Sequence, residues 1–463
     1  MHKSTANSLL NFLPLTICLG LFMLPYDAIK GTMPSVYKPI SVYFFLFAFV
    51  VLLIKHNYKL FIDKTTKYVC FFTLYSLSVG LITALIYTGT ASYYIDCIIT
   101  ILLGLITFLS CKMAFEDLAK SHTADDYFLM IFKVLGIAYI IPVFVTMIDI
   151  ATIYGPLPMQ IKTIITSVFG GFQTGRLTGT TYEASWLSRH MLFAMFVYWY
   201  LYKRTKKSRF VIAAAFALLG YIATFSLQGI IVLLIGVFAA ILLNSFIRQN
   251  MGQTIVKMII FTVVAAALLF AFYYIVVYVL PPSYITYRLR NFIDIPTLVR
   301  TEASSFIRIF FPALNIFMWK DHFFFGNGAG SFSYFFPEYL DKYAPWHPES
   351  IELNGYIEKL SAPAGSTFAS SLSQFGIIGA ILYYGIFVSL IPILKKLSYT
   401  KEHYTIVVWT TVTISFLLQA GSYAYTLFWV MVAVVSAAKF TTDYPDKSFI
   451  KKLSDRPTIA KLR

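Results

Sequence analysis

The sequence predicts an all-α integral membrane protein of about twelve transmembrane helices, with a large outer loop that carries short helices. Three observations predict it. Of 463 residues, 58% are hydrophobic and only 13% charged, where a soluble domain carries about 25% charged residues. Apolar runs of roughly 17 to 25 residues, the length that crosses a bilayer, recur almost to the end. Lysine and arginine collect in alternate connections between those runs, as they do when one side of a membrane is cytoplasmic.

The runs fall at 8–25, 38–54, 68–89, 93–111, 127–150, 186–202, 209–225, 229–247, 256–280, 367–394, 404–420 and 421–438. No small-residue cleavage site follows the first, which therefore reads as a span rather than a signal peptide. Tight connections must divide 209–247 and 404–438 into pairs. Two connections are long, 151–185 and 281–366, and loops beyond about 15 residues are usually functional or disordered. The second is rich in Phe, Tyr and Trp, which argues against disorder. Its stretch SSFIRIFFPALNIFMW is too short to span and predicts a helix lying at the membrane surface. No repeat or linker divides residues 1–463 into further domains, and 440–463 reads as a basic cytoplasmic tail.

With the N-terminus inside, 25 of the 37 basic residues and 9 acidic ones face the cytoplasm, while the outer side holds 12 of each. The net charge of +16 is then an orientation signal, and no nucleic-acid partner is implied. The arginines depart from the pattern: Arg176, Arg189, Arg288, Arg290, Arg300 and Arg308 all fall outside. Arginine's planar fork suits bidentate phosphate or carboxylate binding, which a lysine point charge does not. The four cysteines and seven histidines show no metal-ligand spacing, so neither a protein-bound metal nor another cofactor is expected.

Four stretches carry chemistry. In GRLTGTTYEASW, an arginine and a Gly-Thr turn precede Glu183 at the mouth of a span. A carboxylate so near lipid is costly unless paired, so Glu183 is expected to be held by an arginine or to be itself catalytic. Arg176 and Arg189 could instead only snorkel to the interface. TFSLQG, at the outer junction of two spans, is either a tight hairpin or a polar contribution to a site. GNGAGSFSYFF lacks the Lys-Ser/Thr of a phosphate-binding P-loop; it reads as a plain turn or as one that lets a ligand approach. The fourth, HPESIELNGYIEKLSAPAGSTFASSLSQFGIIGAILYY, sets His347 outside the membrane, as a solvated residue or as a base.

In this order and sidedness, R…TGT…EASW, TFSxxG, GNGAGSF and FGIIGAILYY resemble the O-antigen polymerase and ligase superfamily, over the middle and C-terminal two-thirds of the chain. The resemblance implies a metal-independent, GT-C-like glycosyltransferase of the bacterial inner membrane, acting at the periplasmic face on undecaprenyl-diphosphate-linked oligosaccharides. Ligases of the superfamily typically carry a His-x-His-Asn-like motif where PAGS (363–366) stands, and an arginine where Leu227 follows TFS. Both departures point to the polymerase branch.

On that reading Arg176, Arg189, Arg288, Arg290 and Arg308 bind the diphosphate, with Arg176 first among them. Glu183 and His347 are candidate bases, and Trp319, Tyr343 and Trp346 offer faces for sugar. Membrane lipids, a chain-length regulator and a flippase are the expected partners. A ligase transferring the glycan to lipid-A core, or a flippase of similar span number, are the alternatives; the long outer loop disfavours the flippase, since alternating access favours internal repeats.

Overall fold

The computed structural model describes residues 15–26, 29, 39–57, 62–170, 176–248, 251–279, 295–398 and 404–442. Arg288, Arg290 and the basic tail lie outside the described residues. Among those described there is no strand. The helices are α1 Leu15–Phe22, α2 Ser41–Lys55, α3 Lys64–Ile86, α4 Ala91–Lys120, α5 Ala124–Ala138, α6 Ile140–Ile153, α7 Met159–Phe169, α8 Ala184–Thr205 and α9 Ser208–Ala223. They continue as α10 Leu227–Arg248, α11 Met251–Tyr274, α12 Ile295–Thr301, α13 Ala303–Asp321, α14 Ser331–Tyr343, α15 Ile351–Glu358, α16 Thr367–Ser398, α17 Tyr404–Ser415 and α18 Thr426–Ala437.

Five helical segments are long and apolar enough to cross a membrane: Lys64–Ile86, Ala91–Lys120, Ala124–Ile153, Gln228–Ser245 and Thr367–Leu397. Shorter apolar helices occupy Ser41–Lys55, Ser208–Ala223, Ile255–Ala271, Tyr404–Leu418 and Thr426–Phe440. These account for ten of the expected runs. The run at 186–202 lies in α8, which is helical but not among the five, and the run at 8–25 is described only from Leu15. Within 127–150 the helix is interrupted at Tyr139. Pro142 explains the break, because it has no N–H to give the Ala138 carbonyl.

α18 is buried along its whole length and packs against α4. Trp409 of α17 sits at the centre of this core, in ring contact with Phe132 and Phe193. The 295–366 segment has a second core of its own, built by Phe306, Phe311, Leu314 and Met318 of α13 with Phe332, Phe336 and Leu340 of α14. The expected helix over SSFIRIFFPALNIFMW is therefore present as α13. Its buried residues pack within this cap and against α16, and Ile309 remains exposed. The 151–185 connection likewise contains a helix, α7, closed by Gly170 at φ 81°.

α16 is broken. Gly376 has φ 61° and ψ −167°, a conformation essentially reserved for glycine. The break removes helical hydrogen bonds around Ser373, Gln374 and Ile377, and the 323–328 segment replaces them. Asn327 and Gly328 donate their N–H groups to the Ser373 and Gln374 carbonyls at 2.7 and 2.8 Å, and Ile377 donates to the Phe323 carbonyl at 2.9 Å. Non-helical backbone in a membrane-spanning segment is tolerable only when protein satisfies it in this way. A Cβ on Gly376 would lie 2.2 Å from the Phe324 oxygen, and one on Gly326 would lie 2.4 Å from the Gln374 carbonyl carbon.

Candidate functional site

A cavity of about 470 Å³ lies at the end of the bundle where α4, α8 and α16 begin. From α4 come Tyr93, Asp96, Cys97 and Thr100, spaced to share one helical face. α8 supplies Trp186 and Arg189, the GNGAGSFSYFF stretch supplies Gly330, Phe332 and Ser333, and α16 supplies Gln374 just before its break. The remaining wall is Lys359 to Ala364, after α15, and Gln419 to Tyr425, between α17 and α18.

Arg189 is the central observation. It is 5% exposed. Its Nη2 donates to the Gln419 carbonyl at 3.3 Å, and its guanidinium lies 5.8 Å from the Tyr425 ring centre. Nε is buried and has no hydrogen-bond partner, and no carboxylate of the described residues pairs with this cation. Burying an uncompensated charge is expensive, and an anion in the cavity would relieve the cost.

The four sequence stretches converge here, each with a structural task. In TFSLQG, Phe225 adopts φ 46° and Gly229 approaches α8 so closely that a Cβ would lie 2.8 Å from Ser188 Oγ. Gln228 Nε2 then donates to the same Gln419 carbonyl as Arg189, also at 3.3 Å. In GNGAGSF the glycines let the turn enter the bundle, a Cβ on Gly328 meeting Thr83 of α3 and one on Gly330 meeting the Tyr93 carbonyl. Gln374 Oε1 secures the turn by accepting from Gly330 N at 2.9 Å and from Cys97 Sγ at 3.3 Å. PAGS supplies Pro363 and Ala364 to the wall.

The TGT stretch is a clamp built on two buried charges. Asp149 Oδ2 accepts from Thr178 N, Gly179 N and Lys162 Nζ at 3.0, 2.9 and 2.8 Å. Lys162 also donates to Thr178 Oγ1 at 2.8 Å, and Thr180 Oγ1 donates to the Pro25 carbonyl. Burial lowers the Lys162 ammonium from its ordinary value, and the Asp149 carboxylate opposes that.

The predicted site residues are thus divided. Arg189 lines the cavity; Arg176, Arg308, Glu183, His347, Trp319, Tyr343 and Trp346 do not. Arg176 lies near Tyr154, whose hydroxyl is raised by burial and lowered by that arginine. Glu183 caps α8 without a side-chain cap bond and accepts a short hydrogen bond from Ser185 Oγ. No arginine of the described residues holds Glu183. Its charge acts on Tyr356 of the cap, whose hydroxyl is raised by burial, then by Glu352 and Glu183.

His347 and Trp346 pack on the core of the cap, with ring centres 6.4 and 5.9 Å from Phe306. Arg300 lies 5.4 Å from the Trp346 ring centre. Tyr343 stacks on Phe317 at 4.3 Å, and Trp319 stacks on Phe323 and donates to its carbonyl. These rings are occupied with one another.

The cavity also contains residues that the sequence reading did not select: Asp96, Lys359, Gln374, Gln419 and Tyr423. Asp96 left a signal, being the one charged residue in the run 93–111. The two glutamines left none. No protein-family model matches the chain, and no curated protein is significantly similar to it in sequence.

Proposed function

We propose that this chain is a membrane-embedded polysaccharide polymerase of the O-antigen type, with a GT-C-like fold. It joins undecaprenyl-diphosphate-linked repeats at the periplasmic face of the bacterial inner membrane. The donor is a growing glycan on undecaprenyl diphosphate, and the acceptor is a sugar hydroxyl of the next lipid-linked repeat. The observation that carries the reading is Arg189, a buried cation in the cavity with no counter-charge among the described residues. Its guanidinium would stabilise the charge that grows on the diphosphate leaving group, most effectively where water is scarce. Lys359, exposed at the cavity wall, adds a second cation.

The sidedness rests on charge distribution. The cavity end of the bundle corresponds to connections with balanced charge, and the opposite end to those with the basic excess. The resemblance of the four stretches supports the same assignment, since all of them contribute to or brace the cavity wall.

Deleting the protein tests the reading. A polymerase joins repeats that have already crossed the membrane, so cells lacking it should show lipid-A core bearing one repeat and no ladder of longer chains. Bare core with long polymer accumulating on undecaprenyl diphosphate would assign it as a ligase. Bare core without such polymer would assign it as a flippase.

A further inference from the structure

We infer that Asp96 is the general base of the transfer, the group that takes the proton from the acceptor hydroxyl. The inference rests on the polymerase reading and goes beyond it, because it reassigns the base from Glu183 and His347 to a residue in a transmembrane helix. Asp96 is the one carboxylate in the cavity wall. Tyr93, Cys97 and Thr100 share its helical face, so the wall around it comes from a single rigid element.

Its carboxylate makes no hydrogen bond or ion pair among the described residues. That distinguishes it from Asp149 and Glu183, and its place in the cavity wall distinguishes it from the carboxylates of the cap. Asp149 Oδ2 accepts from Lys162 and two backbone N–H groups, and Glu183 accepts from Ser185 Oγ. His347 packs against Phe306 of the cap core and does not line the cavity.

Asp96 and Arg189 therefore face one cavity with opposite charge and are not paired with each other. A structural salt bridge would have brought them together. A substrate that presents a diphosphate to one and a hydroxyl to the other would occupy the space between. In the transfer, the acceptor oxygen loses its proton to the Asp96 carboxylate and forms a bond to the anomeric carbon. The bond from that carbon to the diphosphate oxygen breaks, and the electron pair leaves with undecaprenyl diphosphate beside Arg189. The carboxylic acid formed on Asp96 returns its proton to solvent.

The experiment compares Asp96→Asn, Asp96→Glu and Arg189→Ala in the purified full-length protein, with two readouts. One is extension of undecaprenyl-diphosphate-linked repeats under saturating substrate; the other is binding of undecaprenyl diphosphate itself. Asp96→Asn should lower kcat by about 10²- to 10⁴-fold and keep the binding constant within about threefold. Retained binding also reports that the variant is folded. Asp96→Glu should restore part of kcat, whereas Arg189→Ala should weaken binding. A kcat for Asp96→Asn within about threefold of wild type overturns the role of Asp96 and leaves the polymerase reading intact. So does an equal loss of kcat and binding, which would make Asp96 a structural residue. Wild-type protein that extends nothing overturns both.

Discussion

The two ends of the bundle manage their charges in opposite ways. At the end away from the cavity, charges neutralise one another. Lys112 Nζ lies 2.5 Å from Asp63 Oδ2 and 3.0 Å from Glu116 Oε1, and Lys439 Nζ lies 2.6 Å from the same Asp63 oxygen. Lys55 and His56 share Asp117 Oδ2 at 2.9 and 3.1 Å, and Arg204 holds Asp125 at 2.7 Å. Burial raises the Asp63 carboxyl, yet the two lysines and the Thr66 N–H hold it well below the ordinary carboxylate range. At the cavity end, Arg189 and Asp96 face the same space and stay apart. Paired charges hold helices in register; unpaired ones await a ligand. The Asp149–Lys162 pair, which does not line the cavity, belongs to the first kind and shows that paired charges are not confined to one place in the bundle.

The comparison breaks most directly at Arg189. Arg189→Lys keeps the charge and loses the fork, and extension of lipid-linked repeats should fall by about 10²- to 10³-fold. Thermal stability of the detergent-solubilised protein should change little, because the substitution leaves one unpartnered buried cation in place of another. Arg176→Lys, beside Tyr154 and away from the cavity wall, should fall by less than about tenfold. An equal loss in both variants would show that the unpaired state of Arg189 has no special meaning.

At the other end the expectation reverses. Lys112→Ala leaves Glu116 and part of the Asp63 charge without compensation, and should cost about 3–5 kcal/mol of stability. Catalytic rate per folded molecule should be preserved. Because the folded Asp63 carboxyl is held below its unfolded value, its contribution is present above about pH 4 and is lost as pH falls further. Melting measured between about pH 3 and 7 should show this loss in wild type and not in Asp63→Asn. Unchanged melting in Lys112→Ala would mean that this end relaxes into water at little cost.

The smallest of the three effects concerns the scaffold that supports both readings. Gly376→Ala must enter a conformation that costs about 1–3 kcal/mol, and its Cβ would meet the Phe324 carbonyl. Its melting temperature should drop clearly. Gly355→Ala, with nothing within 4 Å of the added Cβ, serves as the control and should not lower it.

Much of the architecture was legible in the sequence because it depends on local composition. Ten of the apolar runs correspond to apolar helices, and the amphipathic stretch in the outer loop is α13. The break in α16 was not legible. FGIIG in a continuous apolar run gives no sign that one glycine leaves the helix; the break is stable only because the 323–328 backbone supplies the missing hydrogen bonds from about 50 residues away in sequence. GNGAGSF reads from its sequence as a plain turn or as one that lets a ligand approach; in the fold its glycines pack closely, and Gly330 and Phe332 line the cavity. Asn327 within it is 4% exposed, between α3 and the broken α16.

The candidate site divides along the same line. Arginine's chemistry, and the expectation that six arginines fall on one side of a membrane, follow from residue type and charge pattern, which need no coordinates. Which arginine would remain without a counter-charge was not readable, because the answer depends on partners distant in the chain. Arg176 and Arg189 are 13 positions apart in one stretch, yet only the second is directed by α8 into the space closed by Gln419, 230 residues later. The sequence by itself determined a helical, membrane-compatible chain with an anion-suited arginine set. Only the tertiary structure decided that Arg189 and Asp96 share a cavity, because pairing and burial are properties of neighbours, and these neighbours are made by folding.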